Sequence, residues 1–322
     1  MFPRYRADYR SLLWVAMAAL CVGITYAFPK LAPWLLWLNC YLALCCGVMA
    51  HNHNHCPTFA NKRMNRVFGN ILSLFYGFPT YAWVPTHNLN HHKYVNRNGD
   101  ATITWRYSNR HNALVAATYF FVSSYFQTEL TKKYLKKARL QNPRLFRQIM
   151  MQYAVWGGWY SAWLGLALAL YGLKGIWVWT LASAIPAIFS LWTIHLFNYE
   201  QHVHTDPWSE HNHSRNWETR TVNFFLFNNG YHGAHHENPG LHWSRLAGAH
   251  RELRAHIDPR LIERNGMWWY FIRQYLVAPL FPRLGSVQVG RAPFDPPDGK
   301  PFQLASADVE LGDAGSNAAA VR

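Results

Sequence analysis

Apolar and polar positions are unevenly sorted along this 322-residue chain. Four stretches, 11–28, 34–50, 149–171 and 176–197, contain no Asp, Glu, Lys or Arg and run 17 to 23 residues each. A helix rising 1.5 Å per residue needs about 20 apolar residues to cross roughly 30 Å of hydrocarbon, so each stretch predicts a transmembrane helix. Pro29, Lys30 and Pro33 lie at the first junction and residues 172–175 form the second. Connections this short and turn-forming predict two helical hairpins. Arg4, Arg6 and Arg10 ahead of the first stretch look like the charged start of a signal peptide. The length of the run and its tight join to the second favour a retained helix.

Two shorter apolar pieces, 70–84 and 113–126, fall short of a span and suit interfacial or re-entrant helices. The segment 132–147 carries seven Lys and Arg, which suits either a solvated helix face or contact with anionic headgroups. From residue 285 the chain turns to Gly, Pro, Ala, Ser and Asp without a period, predicting a disordered tail behind one domain, 1–284.

Composition changes the picture in one respect. Half of the residues are hydrophobic but only 15% are charged, against about 25% in an ordinary soluble domain. The mean hydropathy of −0.16 then averages apolar spans with polar connecting regions. The net charge of +15 has an address as well: 29 of the 31 Lys and Arg lie outside the two hairpin connections, which hold only Lys30 and Lys174. The positive-inside rule makes that side cytoplasmic, together with both termini. Charge segregated around spans argues against a nucleic-acid partner. The five Cys cluster in or beside the first hairpin without CxxC spacing and read as packed, reduced thiols.

The candidate chemistry lies in the 18 histidines. His51 and His55 are four apart and share a helix face. His87 and His91 repeat that spacing, with His92 turned about 100° away toward a second ion. His232, His235 and His236 supply an i, i+3, i+4 set, and His202 stands alone after the fourth apolar stretch. One tetrahedral ion takes at most four protein ligands, so nine convergent imidazoles imply two metal ions. His195 and His204 could each replace His202, and His53 should face away from His51 and His55. Asn88, Asn90, Asp100, Glu200, Asp206 and Glu237 are close enough in sequence to hold the second ring N–H of a ligand.

His51–His55 (HNHNH), His87–His92 (HNLNHH) and His232–His236 (HGAHH) resemble the three histidine boxes of the membrane fatty-acid desaturase/hydroxylase superfamily. The string NNGYHGAHHENP, 228–239, resembles the third box of acyl and sphingolipid desaturases. Asn198-Tyr199-x-x-His202 resembles an extra ligand motif of alkane hydroxylases and acyl-CoA desaturases. The resemblance covers about residues 10–280. It implies an all-α integral membrane protein whose four spans carry a cytoplasmic helical cap with a non-haem di-iron site. The implied ligands are His51, His55, His87, His91, His92, His202, His232, His235 and His236, with Asn198 orienting a water or completing the shell.

The same resemblance implies two iron ions and O2 as co-substrate, and a membrane lipid or acyl chain as substrate. With no HPGG haem motif and no flavin or NAD fingerprint in the sequence, the expected electron donor is a separate ferredoxin, rubredoxin or cytochrome b5-type carrier. The expected activity is desaturation of a fatty acyl chain linked to lipid, CoA or ACP. The alternative is hydroxylation of an alkane, acyl chain or carotenoid on the same centre. A metal transporter would place ionisable residues at mid-span, where this sequence has almost none. The expected location is a bacterial inner membrane.

Overall fold

The computed structural model describes residues 2–299 and 310–312. Among these, three helical runs are long and apolar enough to cross a membrane: Asp8–Ala27, Pro29–His55 and the 60-residue run Pro143–His202. The chain divides into two compact units. The first is Met1–Val84 with Leu135–Ile194, and the second is Pro85–Tyr134 with His195–Gly312.

In the first unit, α1 (Asp8–Ala27) and α2 (Ala32–His55) are joined by a 3-10 turn at Pro29–Leu31. They lie side by side, with Asn39 on α2 donating to Thr25 on α1 at 3.1 Å and Trp14 on α1 donating to Tyr41 on α2 at 2.9 Å. Next, α3 (Lys62–Tyr76) begins at Asn61, whose side chain accepts from the backbone N–H groups of Arg63 and Met64. It ends at Gly77, where a φ of 95° needs a residue without Cβ. The apolar piece expected at 70–84 is therefore the second half of α3 and the turn after it. That helix packs on α2 at Gly47, where a Cβ would come within 2.7 Å of the Tyr76 ring.

The third and fourth expected spans form one helical run folded back on itself. Asn142 caps the start of α5 (Pro143–Tyr171), and Gly172 breaks it with a φ of 58°. A 3-10 turn at Gly172–Lys174 leads into α6 (Gly175–Trp179), a π-helical stretch Thr180–Ala184, and α7 (Ile185–His202). At Gly175 a Cβ would overlap the Ala167 carbonyl, and Trp179 donates to the Tyr160 carbonyl at 3.1 Å. Pairs 8 and 19 residues apart in sequence but touching in space define an antiparallel hairpin.

The helix between these segments, α4 (Ala113–Gln141), corrects the reading of residues 113–147. The apolar piece 113–126 and most of the basic segment belong to one 29-residue helix. No Gly or Pro interrupts 113–141, and Asn142-Pro143 is the first break.

The second unit carries short elements around the histidines. Strands β1 (Asn216–Trp217) and β2 (Ile262–Glu263) pair in parallel, Asn216 opposite Ile262. Residues expected in a disordered tail are instead bonded to the loop after α7. The Val289 N–H reaches the His204 carbonyl at 3.0 Å, and the Arg291 N–H reaches Asp206 at 2.9 Å. Of the predicted tail, residues 300–309 and 313–322 lie outside the described residues.

Candidate metal centre

The second histidine cluster sits on an unusual helix. Residues Val84–His91 are π-helical and run into a short α-helical turn, His92–Tyr94. His87 lies beside both later histidines: its ring stacks on that of His91 with centroids 5.1 Å apart and meets that of His92 edge-on at 4.7 Å. The Nε2 atoms of His87 and His92 are 3.1 Å apart, and His92 Nε2 is 3.0 Å from His235 Nε2. His91 turns to a different set. His87 and His91 thus keep the shared face their spacing predicts, yet they fall in different sets, and His92 joins His87.

His91, His202, His232 and His236 form that set, with one ring nitrogen of each within 4.8 Å of all the others. Nε2 of His202 is 3.0 Å from Nε2 of both His91 and His232, and His232 is 3.1 Å from His236. All four side chains are buried. His232, His235 and His236 lie on α8 (His232–Glu237), where the i, i+4 pair His232 and His236 shares one face and His235 points to the His87–His92 pair. This helix rests on β1: the Gly233 N–H donates to the Asn216 side chain at 2.9 Å, and a Cβ at Gly233 would press on that amide.

The protons of two rings can be placed from their partners. His91 Nδ1 lies 2.8 Å from an Asp100 carboxylate oxygen, and His202 Nδ1 lies 3.0 Å from the His213 carbonyl. Both partners accept at these contacts, so each Nδ1 carries a hydrogen and each Nε2 is the atom turned toward the other histidines. A metal ion bound among these Nε2 atoms would satisfy them together. His236 fits the same role, because burial, and then the imidazoles of His92, His232, His202 and His91, push its pKa well below the ordinary value and keep it neutral. Neutral imidazoles without a carboxylate among them suit zinc, copper or iron rather than magnesium or calcium.

Asp100 is held in place from several directions. It accepts from the Asn96 and Thr102 N–H groups and from the Thr102 hydroxyl, each at 2.7 Å. Burial alone would raise its pKa, but His91 and the Thr102 donors outweigh that and hold the carboxylate below its usual range. Asn90 supports the same loop, donating to the Gly99 carbonyl and accepting from the Ala101 N–H, both at 2.8 Å. Asn88 is buried.

In the first unit, His51 and His55 sit one turn apart at the end of α2, both buried, with ring centroids 4.9 Å apart. His53 turns elsewhere, to the Thr58 hydroxyl at 3.0 Å and the Asn65 carbonyl at 3.1 Å.

Several residues proposed from sequence lie away from the four-histidine set. His195 contacts the Gln127 side chain at 2.9 Å, and His204 lies between Ser286 and the Asn109 carbonyl. Neither replaces His202. Asn198 donates to the Tyr119 hydroxyl, which donates to the Thr102 carbonyl at 2.5 Å, so it braces the Asp100 loop. Glu200 accepts from Tyr270 at 2.7 Å and from Tyr275, with His111 at 2.9 Å. Asp206 accepts from the Trp208 and Arg291 N–H groups. Glu237 stands 3.4 Å from the His213 ring nitrogen.

Thr102, Tyr119, Asn96 and His213 were not singled out by sequence. Asn96 donates to the His202 carbonyl at 3.0 Å while its own N–H holds Asp100. The turn-forming string 96–100 was the available signal for this loop. His213 acts through its carbonyl, which no side-chain pattern reveals.

A family model described as "Fatty acid desaturase" matches residues 29–270, a region that contains all three histidine clusters and His202. No curated protein and no solved structure matches the chain.

Proposed function

Because the chain belongs to the fatty acid desaturase family, we propose that it is an O2-dependent di-iron oxidase that places a cis double bond in a fatty acyl chain. The observation that carries this reading is the set of four buried histidines whose ring nitrogens lie within 4.8 Å of one another, with His91 and His202 facing at 3.0 Å. In the proposed ligand set His91, His202, His232 and His236 hold one ion. His87, His92 and His235 serve the other, and the family resemblance assigns the first histidine box, His51 and His55, as ligands too.

The metal is taken as iron from the family, since imidazole ligands suit iron, zinc and copper alike.

Bound iron supplies the reductive activation of O2 and the removal of hydrogen from an unactivated methylene. Overall, an acyl –CH2–CH2– unit, O2, two electrons and two protons give –CH=CH– and two waters. The protein's own residues hold that chemistry in place. Asp100 and the His213 carbonyl fix the ring protons of His91 and His202 away from the metal. Thr102 locks Asp100, and the Asn198–Tyr119 pair ties α7 to the same loop. The electrons come from a separate carrier, and the basic residues of the chain attract an acidic one. The protein crosses the membrane four times as two hairpins, with the histidines on the cytoplasmic side where Lys and Arg are concentrated.

Lipid mass spectrometry of cells expressing the wild type and His235→Ala tests this reading. The wild type alone should yield acyl chains lighter by two hydrogens. Chains heavier by one oxygen identify a hydroxylase instead. An unchanged lipid profile overturns the oxidase reading for acyl substrates.

A further inference from the structure

The helical segment after β2 is inside out. It runs from α9 (Met267–Ile272) through a π-helical stretch, Arg273–Val277, to a 3-10 turn at Pro282–Leu284. Its inward face is polar: Tyr270 and Tyr275 donate to Glu200, and Gln274 donates to the His111 carbonyl at 2.8 Å. Arg273, the only charged residue from 265 to 282, is drawn to Glu263 at 2.7 Å. The outward face is apolar throughout. Trp268, Trp269, Ile272, Leu276, Leu280 and Phe281 are exposed, Trp268 at 82%, Leu276 at 67% and Leu280 at 75%.

A helix facing water carries the opposite arrangement, with apolar residues inward and polar residues outward. An exposed, contiguous apolar face of this kind marks a surface that is covered in use. Its dimensions and flanks identify the cover. The fourteen residues from Trp268 to Phe281 extend roughly 20 Å, too short to cross hydrocarbon but long enough to lie in a membrane surface. Two tryptophans at one end suit the headgroup boundary. Exposed Arg264 and Arg283 bracket the apolar face and complement anionic headgroups. A protein partner of acidic character would meet no exposed charge between them. The chain also has three helical runs apolar enough to cross a bilayer, so a bilayer is at hand.

We propose that residues 268–281 dock this apolar face into the headgroup–acyl boundary of an anionic membrane, as an in-plane helix separate from the spanning helices. The docked segment is the one whose inward tyrosines hold Glu200, two residues before His202 on α7. Leu114, Phe121 and Tyr125 of α4 are exposed as well. Their helix meets this segment at Ala116, which packs with Tyr199 and Tyr275, so the docking surface continues onto α4.

The test uses the full chain in nanodiscs of phosphatidylcholine and phosphatidylglycerol at about 3:1. An environment-sensitive fluorophore is attached at Leu276→Cys and, independently, at Leu280→Cys, with Glu252→Cys as the water-exposed reference. The unsubstituted chain gives the labelling background. Docking predicts blue-shifted emission at 276 and 280, quenched severalfold more by acyl-brominated lipid than at Glu252→Cys, and little affected by aqueous iodide. Iodide quenching equal to that of Glu252→Cys overturns the proposal. So does protection from both quenchers that disappears when each disc holds one protein copy, since the cover is then a second chain.

Discussion

The Nε2 atoms of His91 and His202 face each other across 3.0 Å, while each Nδ1 donates on the opposite side, to Asp100 and to the His213 carbonyl. A cation held by the four-histidine set would bind both nitrogens. Purified protein should therefore contain about two iron atoms per chain. Chelation should lower its melting temperature by roughly 5–15 °C, since an ion bound only by the folded state stabilises that state. Metal analysis with intrinsic-fluorescence melting checks both. One zinc per chain and no iron would contradict the di-iron reading.

Asp100 fixes the tautomer of His91 without touching the ion itself. Asp100→Asn keeps the size of the side chain but removes the charge that accepts the imidazole proton. Metal affinity should fall by about 10- to 100-fold. Competition against a coloured chelator measures this, and an unchanged affinity would remove Asp100 from the support of the site.

Three histidines near the end of α7 separate by role. His202→Ala should lose iron from the four-histidine set. His195→Ala and His204→Ala should retain it, since their rings contact Gln127 and the Ser286–Asn109 pair instead. Iron per chain in the three purified variants decides the assignment; equal loss in all three would mean that general unfolding is being read.

How much of this was legible in the sequence depends on the kind of regularity involved. The apolar stretches and the turn residues Pro29 and Gly172 predict both hairpins, because chain length and turn chemistry are local properties. The three histidine clusters are equally plain. The division of ligands between the two sets is not, since His87 and His91 stack on one face yet enter different sets, and tertiary partners such as Asp100 decide how each ring is turned. Asp100 was found from its nearness to the second box. Glu200 and Asp206 were equally near to His202, yet they serve His111 with two tyrosines and the tail. Nearness in sequence cannot tell which way a side chain leaves its helix.

Acid sensitivity should have a component remote from the metal centre. Glu218 accepts from His250 at 3.0 Å and from Arg254 at 2.5 Å. Partial burial raises its pKa, but Arg254 and His250 outweigh that and hold it below the usual glutamate value. Its stabilisation is then full above that usual value and is lost as the pH falls through the lowered one. The pair is partly solvated, so its worth is about 1 kcal/mol or less. Glu218→Gln should melt slightly below the wild type at pH 7 and together with it near pH 3. A constant gap at both pH values would assign the effect to packing.

The bonds from Val289 and Arg291 to His204 and Asp206 bear on how a shortened version of this protein is designed. Composition suggests trimming at residue 284. A cut there would strip two backbone donors from the loop that begins two residues after His202, and would also release the Trp208 indole from the Ala292 carbonyl. The minimal unit that keeps this loop clamped therefore extends to residue 292. A truncation that loses activity between 284 and 292 would be reporting on loop geometry, not on a binding segment in the tail.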